Sequence, residues 1–273
     1  MRRIAFVSLK GGVGKTTTAT AVAVGLARRG ARVLAVDADV QGNTSWTLLG
    51  GNDPEPHTLA AVLTRDADAS EAIRPTRVPG LDLLPADATL GGVNVALAQE
   101  LGRDTRLRAA LARVEDDYDY VIADTGPQVT TVWANVLVWT SEVVVPLDPG
   151  VYAMLGLVQL EGMIAEVREA YGNTSLRLAG LVLTKVSRNG VARDVEAEIR
   201  ARYGDRVHTA TIPVSVKVEE AHTSGLTVME HAPKSAGAVA YEQLVGEIVD
   251  GRTSAKGGSG VKAGRGPGAI GAA

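Results

Sequence analysis

Cysteine is absent from the 273 residues, which removes disulfides, thiolate zinc sites, iron–sulfur clusters and cysteine nucleophiles. Aromatic residues are scarce, at 4% with a single Phe, so any core must rest on Val, Leu, Ala and Ile. Long apolar runs are missing as well. The N-terminal stretch "MRRIAFVSLKGG" is continuously apolar only from Ile4 to Val7, short of the roughly 7–15 residues of a secretory core segment, and reads as a first β-strand. Nothing approaches the ~20 apolar residues that span a bilayer, so a cytoplasmic protein without membrane contact is expected. Excess positive charge is also lacking. Net charge is −3, and the tail from Gly251 carries Arg252, Lys256, Lys262 and Arg265 with no acid; that +4 leaves −7 on the rest of the chain. An acidic body argues against a globally basic nucleic-acid binder, though not against a local basic patch.

What is present is an ordinary globular composition, 45% hydrophobic and 22% charged, in a chain long enough for one large α/β domain or two small ones. Apolar runs at 3–8, 32–37, 81–86, 120–124, 142–147, 176–184 and 207–213 read as strands. Several are apolar on consecutive residues, the pattern of strands buried on both faces of a parallel sheet. Helical patterns lie between or after them at Thr16–Arg29, Thr105–Val114, Met154–Tyr171, Val191–Tyr203 and Ala238–Val249. Alternation of this kind predicts a doubly wound, mostly parallel sheet with helices on both faces. One folded unit is expected over 1–250. The Gly/Ala/Lys-rich tail over 251–273 should be disordered.

The stretch "SLKGGVGKTTTATAVAVG" (Ser8–Gly25) lies where a strand gives way to a helix. Glycines there let backbone N–H groups turn around an anion, and the helix N-terminus adds partial positive charge. Gly11, Gly12, Val13, Gly14, Lys15, Thr16 and Thr17 are therefore the expected phosphate cradle. Lys15 would reach the β- and γ-phosphates and the Thr16 hydroxyl would ligate Mg²⁺. A glycine-rich turn that merely precedes a helix is the bland alternative, and the register of glycines, lysine and threonine disfavours it. The usual pattern G-x-x-x-x-G-K-[ST] would need glycine at position 9, where this chain has Leu9, and there is a second lysine, Lys10.

That variant, K-G-G-V-G-K-T-T, resembles the deviant Walker A loop of the ParA/MinD class of P-loop ATPases. The resemblance implies that Lys10 crosses the interface of an ATP-sandwich homodimer and touches the partner's phosphates. A positive charge supplied in trans then makes hydrolysis depend on dimerisation. Three further segments match the same class. "VLAVDADVQGNTSWTLLG" (33–50) is similar to its switch I signature D-x-D-x-Q-G-N; it implies that Asp39 positions the attacking water and that Asp37 lies near the metal shell. Turn or N-cap roles are the ordinary alternative for such aspartates. "YDYVIADTGPQVT" (118–130) resembles Walker B and switch II, with Asp124 holding Mg²⁺ through water; the usual D-T-P-P is here Asp124-Thr125-Gly126-Pro127. "TATIPVSVKVEEAHTSGLTVMEHAPKSAGAVAYEQL" (209–244) resembles a later segment that normally begins I-P-R-N-x-[RK], with Val214 and Ser215 replacing the Arg-Asn pair while Lys217 remains. Thr184 and Pro213 fall where relatives contact the purine.

Within the class, the missing cysteines argue against the cluster-bearing members. Val261 and Ile270 are the only large apolar residues of the tail, too few for a membrane-surface amphipathic helix. The chain thus looks like a short Soj-type ParA. The resemblance implies an ATP- and Mg²⁺-dependent switch that binds DNA non-specifically as the ATP dimer. A ParB-like centromere-binding partner would stimulate hydrolysis and release, in a nucleoid-associated setting. Arg188, Arg193 and Lys217 are the expected DNA contacts, against the plain alternative of solvated surface cations. Two other readings stand beside this one: a ParA-like ATPase positioning a cargo other than DNA, and a metabolic P-loop enzyme that activates a small carboxylate.

Overall fold

A computed structural model describes residues 1–50, 57–150, 152–187 and 190–251. Eight strands form one sheet: β1 (Arg2–Phe6), β2 (Val33–Ala38), β3 (Arg74–Pro75), β4 (Leu81–Leu84), β5 (Tyr120–Thr125), β6 (Glu142–Leu147), β7 (Arg177–Val186) and β8 (Val207–Pro213). Their order is β3-β4-β2-β5-β1-β6-β7-β8, and every pairing is parallel except that of β3 with β4. The two-residue β3 carries Pro75 at the sheet edge, where the missing N–H is harmless. Helices among the described residues are α1 (Lys15–Arg28), α2 (Asn43–Leu48), α3 (Leu59–Thr64), α4 (Ala69–Ala72), α5 (Val93–Ala96), α6 (Arg106–Leu111), α7 (Thr131–Trp139), α8 (Ala153–Tyr171), α9 (Gly190–Tyr203), α10 (Val216–Thr223), α11 (Val228–His231) and α12 (Ala236–Val249).

The continuous apolar runs are explained by two cores, one on each face of the sheet. Ile4 and Phe6 of β1 and Val33 and Ala35 of β2 face α1 and α12. Their neighbours Ala5, Val7, Leu34 and Val36 face the other core, with α3, α7 and α8. With side chains alternating along each strand, burial of both sets requires helices on both faces, the doubly wound arrangement expected from the sequence. α1 is itself buried almost all round: a Cβ on Gly25 would lie 2.5 Å from Val245 Cγ2, so glycine is what lets α1 and α12 pack this closely.

The exposed edge strand β8 is covered by α12. Glu247, nearly buried, accepts hydrogen bonds from the Thr209 N–H at 2.9 Å, the Ala210 N–H at 3.0 Å and Gln243 Nε2 at 3.0 Å, and sits 3.0 Å from His208 Nδ1. No helix among the described residues is long and apolar enough to cross a membrane. The tail beyond Gly251 and Arg188 lie outside the described residues.

Candidate functional site

The site forms at the carboxyl ends of the central strands, where open α/β sheets place their ligands. β1 ends at Phe6 and α1 begins at Lys15. The connecting loop turns through Gly12 (φ 72°) and Gly14 (φ 83°), left-handed positions that glycine takes without cost. Gly14 is the N-cap of α1, no side chain caps the helix, and no acid stands in its first turn. The opening N–H groups of α1 are therefore free of side-chain partners at the positive end of the helix, which suits an anion. The loop is braced from behind: Thr184 Oγ1 donates to the Val13 carbonyl at 2.7 Å, and Thr18 Oγ1 donates to the Gly14 carbonyl at 2.7 Å while meeting the Tyr241 hydroxyl at 3.3 Å.

A cavity of about 560 Å³ opens in front of this loop. Of the residues expected from sequence, Gly11, Gly12, Gly14, Lys15, Thr16, Thr17, Asp39, Thr184 and Pro213 all line it. Lys15 is buried, and its Nζ donates to the Lys10 carbonyl at 3.3 Å. Burial lowers its pKa, opposed by the charges of Asp124 and Asp39, so an anion arriving here meets a cation short of partners. Val13 and the Lys10 side chain lie elsewhere, on a neighbouring cavity of about 50 Å³ with Leu9, Asp148 and Tyr152. Lys10 Nζ points away from the phosphate loop and donates to Asp148 Oδ2 at 3.0 Å. The hydroxyl of Thr184, expected beside the purine, is spent on the loop.

The three aspartates are not equivalent. Asp37 and Asp124 are register partners on adjacent strands β2 and β5, both fully buried. Burial, with the charge of Asp39 adding to it, pushes Asp37 up to about 6; burial, with the charges of Asp37 and Asp39 adding to it, pushes Asp124 up to about 7. Asp37 is committed to the following turn: Oδ2 accepts the Ser45 N–H at 2.8 Å and the Ser45 hydroxyl at 2.7 Å, and Oδ1 accepts the Asp39 N–H at 3.2 Å. Its oxygens are thus engaged by the switch I segment, the turn role weighed against a metal role from sequence. Asp124 differs. Oδ2 accepts the Thr44 hydroxyl at 2.9 Å, whereas Oδ1 is buried with no partner, and the hydroxyl of Thr16 favours its charged form. A bare, buried carboxylate oxygen beside the Thr16 hydroxyl fits a divalent cation. Among the described residues no cluster of three or more His, Cys, Asp or Glu could hold a metal by itself. So sparse a donor set suits Mg²⁺, which keeps most of its shell for water and phosphate.

Asp39 stands on the boundary between the large cavity and a second one of about 250 Å³ lined by Gly126, Pro127 and Trp133. A Cβ on Gly126 would lie 3.3 Å from Asp39 Oδ1. The Gly126 in place of the usual proline therefore lets switch II lie close against the switch I carboxylate.

Sequence reasoning missed Gln41, Asn43, Lys185, Ser215, Glu219, His222 and Tyr241, which also line the large cavity. Lys185 adopts φ 52°, an uncommon conformation for a side chain with a Cβ. The available signal was positional: Lys185 lies near the end of β7, and Ser215, Glu219 and His222 follow β8. Two of the expected DNA contacts lie among the described residues. Arg193 is exposed on α9, and Lys217 on α10 is paired with Glu220 Oε2 at 2.6 Å.

The parallel sheet with its glycine loop and uncapped helix defines a P-loop nucleotide-binding α/β protein. Residues 1–178 match the family model described as an AAA domain. The chain is 40% identical over 252 residues to the chromosome partitioning protein ParA of Caulobacter vibrioides, covering 91% of this chain and 94% of that one. It is 39% identical over 250 residues to the chromosome-partitioning ATPase Soj of Thermus thermophilus, covering 91% and 96%. Among solved structures, cobyrinic acid a,c-diamide synthase from Mycobacterium smegmatis with bound ATP analog and magnesium superposes with a TM-score of 0.78 at 33% identity, over 91% of this chain and 94% of that one. The chain belongs to the ParA/Soj family of partition ATPases.

Proposed function

We propose that this protein is a Mg²⁺-dependent ATPase that dimerises around ATP and acts as a nucleotide-timed switch in partitioning DNA. One observation carries the reading: an uncapped glycine-loop helix, a buried lysine and a half-buried aspartate, Asp39, line a single nucleotide-sized cavity. The N–H groups of the loop and first turn bind the phosphates, and Lys15 neutralises their terminal charge. Thr16 and Asp124 are the residues that would hold Mg²⁺, which when bound neutralises charge on the β- and γ-oxygens. Asp39 accepts a hydrogen bond from the attacking water and orients it in line with the γ-phosphorus. Lys10, outside its own chain's cavity, reaches the phosphates of a second copy, so hydrolysis waits for dimerisation.

The DNA-bound phase rests on the family resemblance and on Arg188, Arg193, Lys217 and the basic tail. Two copies in a dimer double whatever cationic surface one copy presents, which offsets the weak patch of the single chain. A ParB-like partner would stimulate hydrolysis, and the setting would be cytoplasmic and nucleoid-associated. The solved diamide synthase neighbour favours a second reading, activation of a small carboxylate. That enzyme would turn over only with its small substrate and would ignore DNA.

The deciding experiment is binding to random-sequence duplex DNA with ATP, with ADP and without nucleotide across a salt series. Binding confined to ATP and falling steeply with salt supports the partition switch. No DNA binding in any state overturns it, and leaves an ATPase with a protein cargo or a small-molecule client.

A further inference from the structure

The wall of the large cavity facing the phosphate loop includes α10, and the residue of α10 that reaches the loop's helix is His222. Its Nε2 lies 3.4 Å from Thr17 Oγ1, and it lines the same cavity as Gly14, Lys15 and Thr16. Thr17 belongs to the first turn of α1, whose N–H groups carry no side-chain cap. The imidazole therefore stands at the anion-binding end, beside the first turn of α1. Its other ring nitrogen, Nδ1, has no hydrogen-bond partner among the described residues. The backbone of His222 is anchored separately: its carbonyl accepts the indole N–H of Trp46 at 3.3 Å, although Trp46 is 44% exposed. Trp46 sits on α2, immediately after the segment that carries Asp39 and Gln41. One residue thus meets the phosphate helix with its ring and is tied by its carbonyl to the helix that follows switch I.

We propose that His222 is a nucleotide-contacting residue. Its ring would hydrogen bond a nucleoside di- or triphosphate at the phosphate nearest the sugar, and Trp46 would hold α10 in the place where the contact is made. This rests on the nucleotide-binding reading of the cavity. Because the contact falls on the part shared by ATP and ADP, it strengthens binding of both without acting on the transferred phosphoryl group. Its loss therefore raises KM and leaves kcat within twofold. An ordinary core histidine would instead change stability and leave affinity alone.

Calorimetric titration of the full chain with MgADP and with a non-hydrolysable MgATP analogue tests this, together with steady-state ATPase and thermal melts. His222→Phe keeps ring volume without nitrogen and weakens both ligands about 3- to 10-fold, the worth of one hydrogen bond, with Tm little changed. His222→Gln restores a donor near the Nε2 position and recovers most of the affinity. Trp46→Phe weakens binding by less, and the double variant is no worse than His222→Phe alone, because the two residues act through one contact. His222→Ala serves where the phenylalanine variant misfolds. Wild-type affinity in both His222→Phe and His222→Ala overturns the assignment. Failure of the wild-type chain to bind either nucleotide overturns the underlying reading of the cavity instead.

Discussion

The Lys10 ammonium stands 3.0 Å from Asp148 Oδ2, and this contact, not one with the chain's own nucleotide cavity, is where the lysine spends its charge. The two residues follow adjacent strands, β1 and β6, so the sheet itself brings them together. Their side chains are 59% and 37% exposed, and exposed pairs of this kind contribute little to stability and are screened by salt. The pair therefore holds Lys10 aimed outward without locking it. If Lys10 serves a partner's phosphates, dimerisation must first break this pair. Asp148→Asn then tightens the ATP-dependent dimer about 2- to 5-fold at low salt with little change in Tm, read by sedimentation. A weaker dimer in Asp148→Asn would show that the lysine works from its present position.

Lys10 and Asp39 lie on different cavities and should fail differently. Lys10→Ala keeps ADP affinity within about twofold, because the side chain does not line the nucleotide cavity, but loses the ATP dimer and its hydrolysis. Asp39→Ala binds ATP and accumulates as a dimer, with kcat down by about 10²-fold or more, the scale of a lost general base or water-orienting group. Single-turnover hydrolysis beside light scattering separates the two. A Lys10→Ala enzyme with normal turnover contradicts supply in trans, and a monomeric Asp39→Ala protein at saturating ATP contradicts the role given to that carboxylate.

Thr184 supports the loop through one hydrogen bond, 2.7 Å from its hydroxyl to the Val13 carbonyl, and both residues are buried. Thr184→Val keeps the shape and deletes the donor, leaving a buried carbonyl unpaired. The expected loss is about 1–3 kcal/mol, seen in chemical unfolding. Nucleotide affinity falls with it, because the carbonyl belongs to the cradle that must stay preorganised. Unchanged affinity together with reduced stability would confine Thr184 to a packing role.

Much of this was legible in the sequence because it depends on local chemistry. Glycines at 12 and 14 signal left-handed turns, and continuous runs such as "EVVVPL" signal strands covered on both faces; both signals survive without tertiary information. α7 did not announce itself: Val132, Trp133, Val136, Leu137, Val138 and Trp139 are all buried, and a helix apolar on every side has no 3.6-residue stripe to detect. The short α2, α10 and α11 were missed because four to eight residues hold too few turns for periodicity, and these helices are fixed by packing and by contacts such as Ser45 to Asp37. The far wall of the cavity was legible only at Thr184 and Pro213, and the rest was hidden for another reason. Lys185, Glu219 and His222 meet Thr17 and its neighbours only because β7 and β8 run parallel to β1 in one sheet, a relation of topology that no local motif encodes.

Glu247 offers a test of how the sheet edge is held. Burial alone would raise its pKa, but the hydrogen bonds from His208, Thr209 and Gln243 outweigh it and hold the carboxyl down to about 2. A folded pKa below the unfolded value near 4.5 means that the ionised carboxylate stabilises the fold above that pH. The contribution is then lost as pH falls from about 4.5 to 2. Glu247→Gln keeps one acceptor but turns an amide N–H₂ toward backbone donors. It should be less stable than wild type at pH 7 by about 1–3 kcal/mol, and the gap should close steadily below pH 4.5. Asp37 and Asp124, whose pKa values are raised, titrate alike in both proteins and cancel from the difference. Urea unfolding at pH 7, 4.5 and 3 measures it. A gap that stays constant down to pH 3 would mean that the Glu247 carboxylate is not what secures β8, and that the strand is held by its pairing with β7 and its apolar contacts with α12.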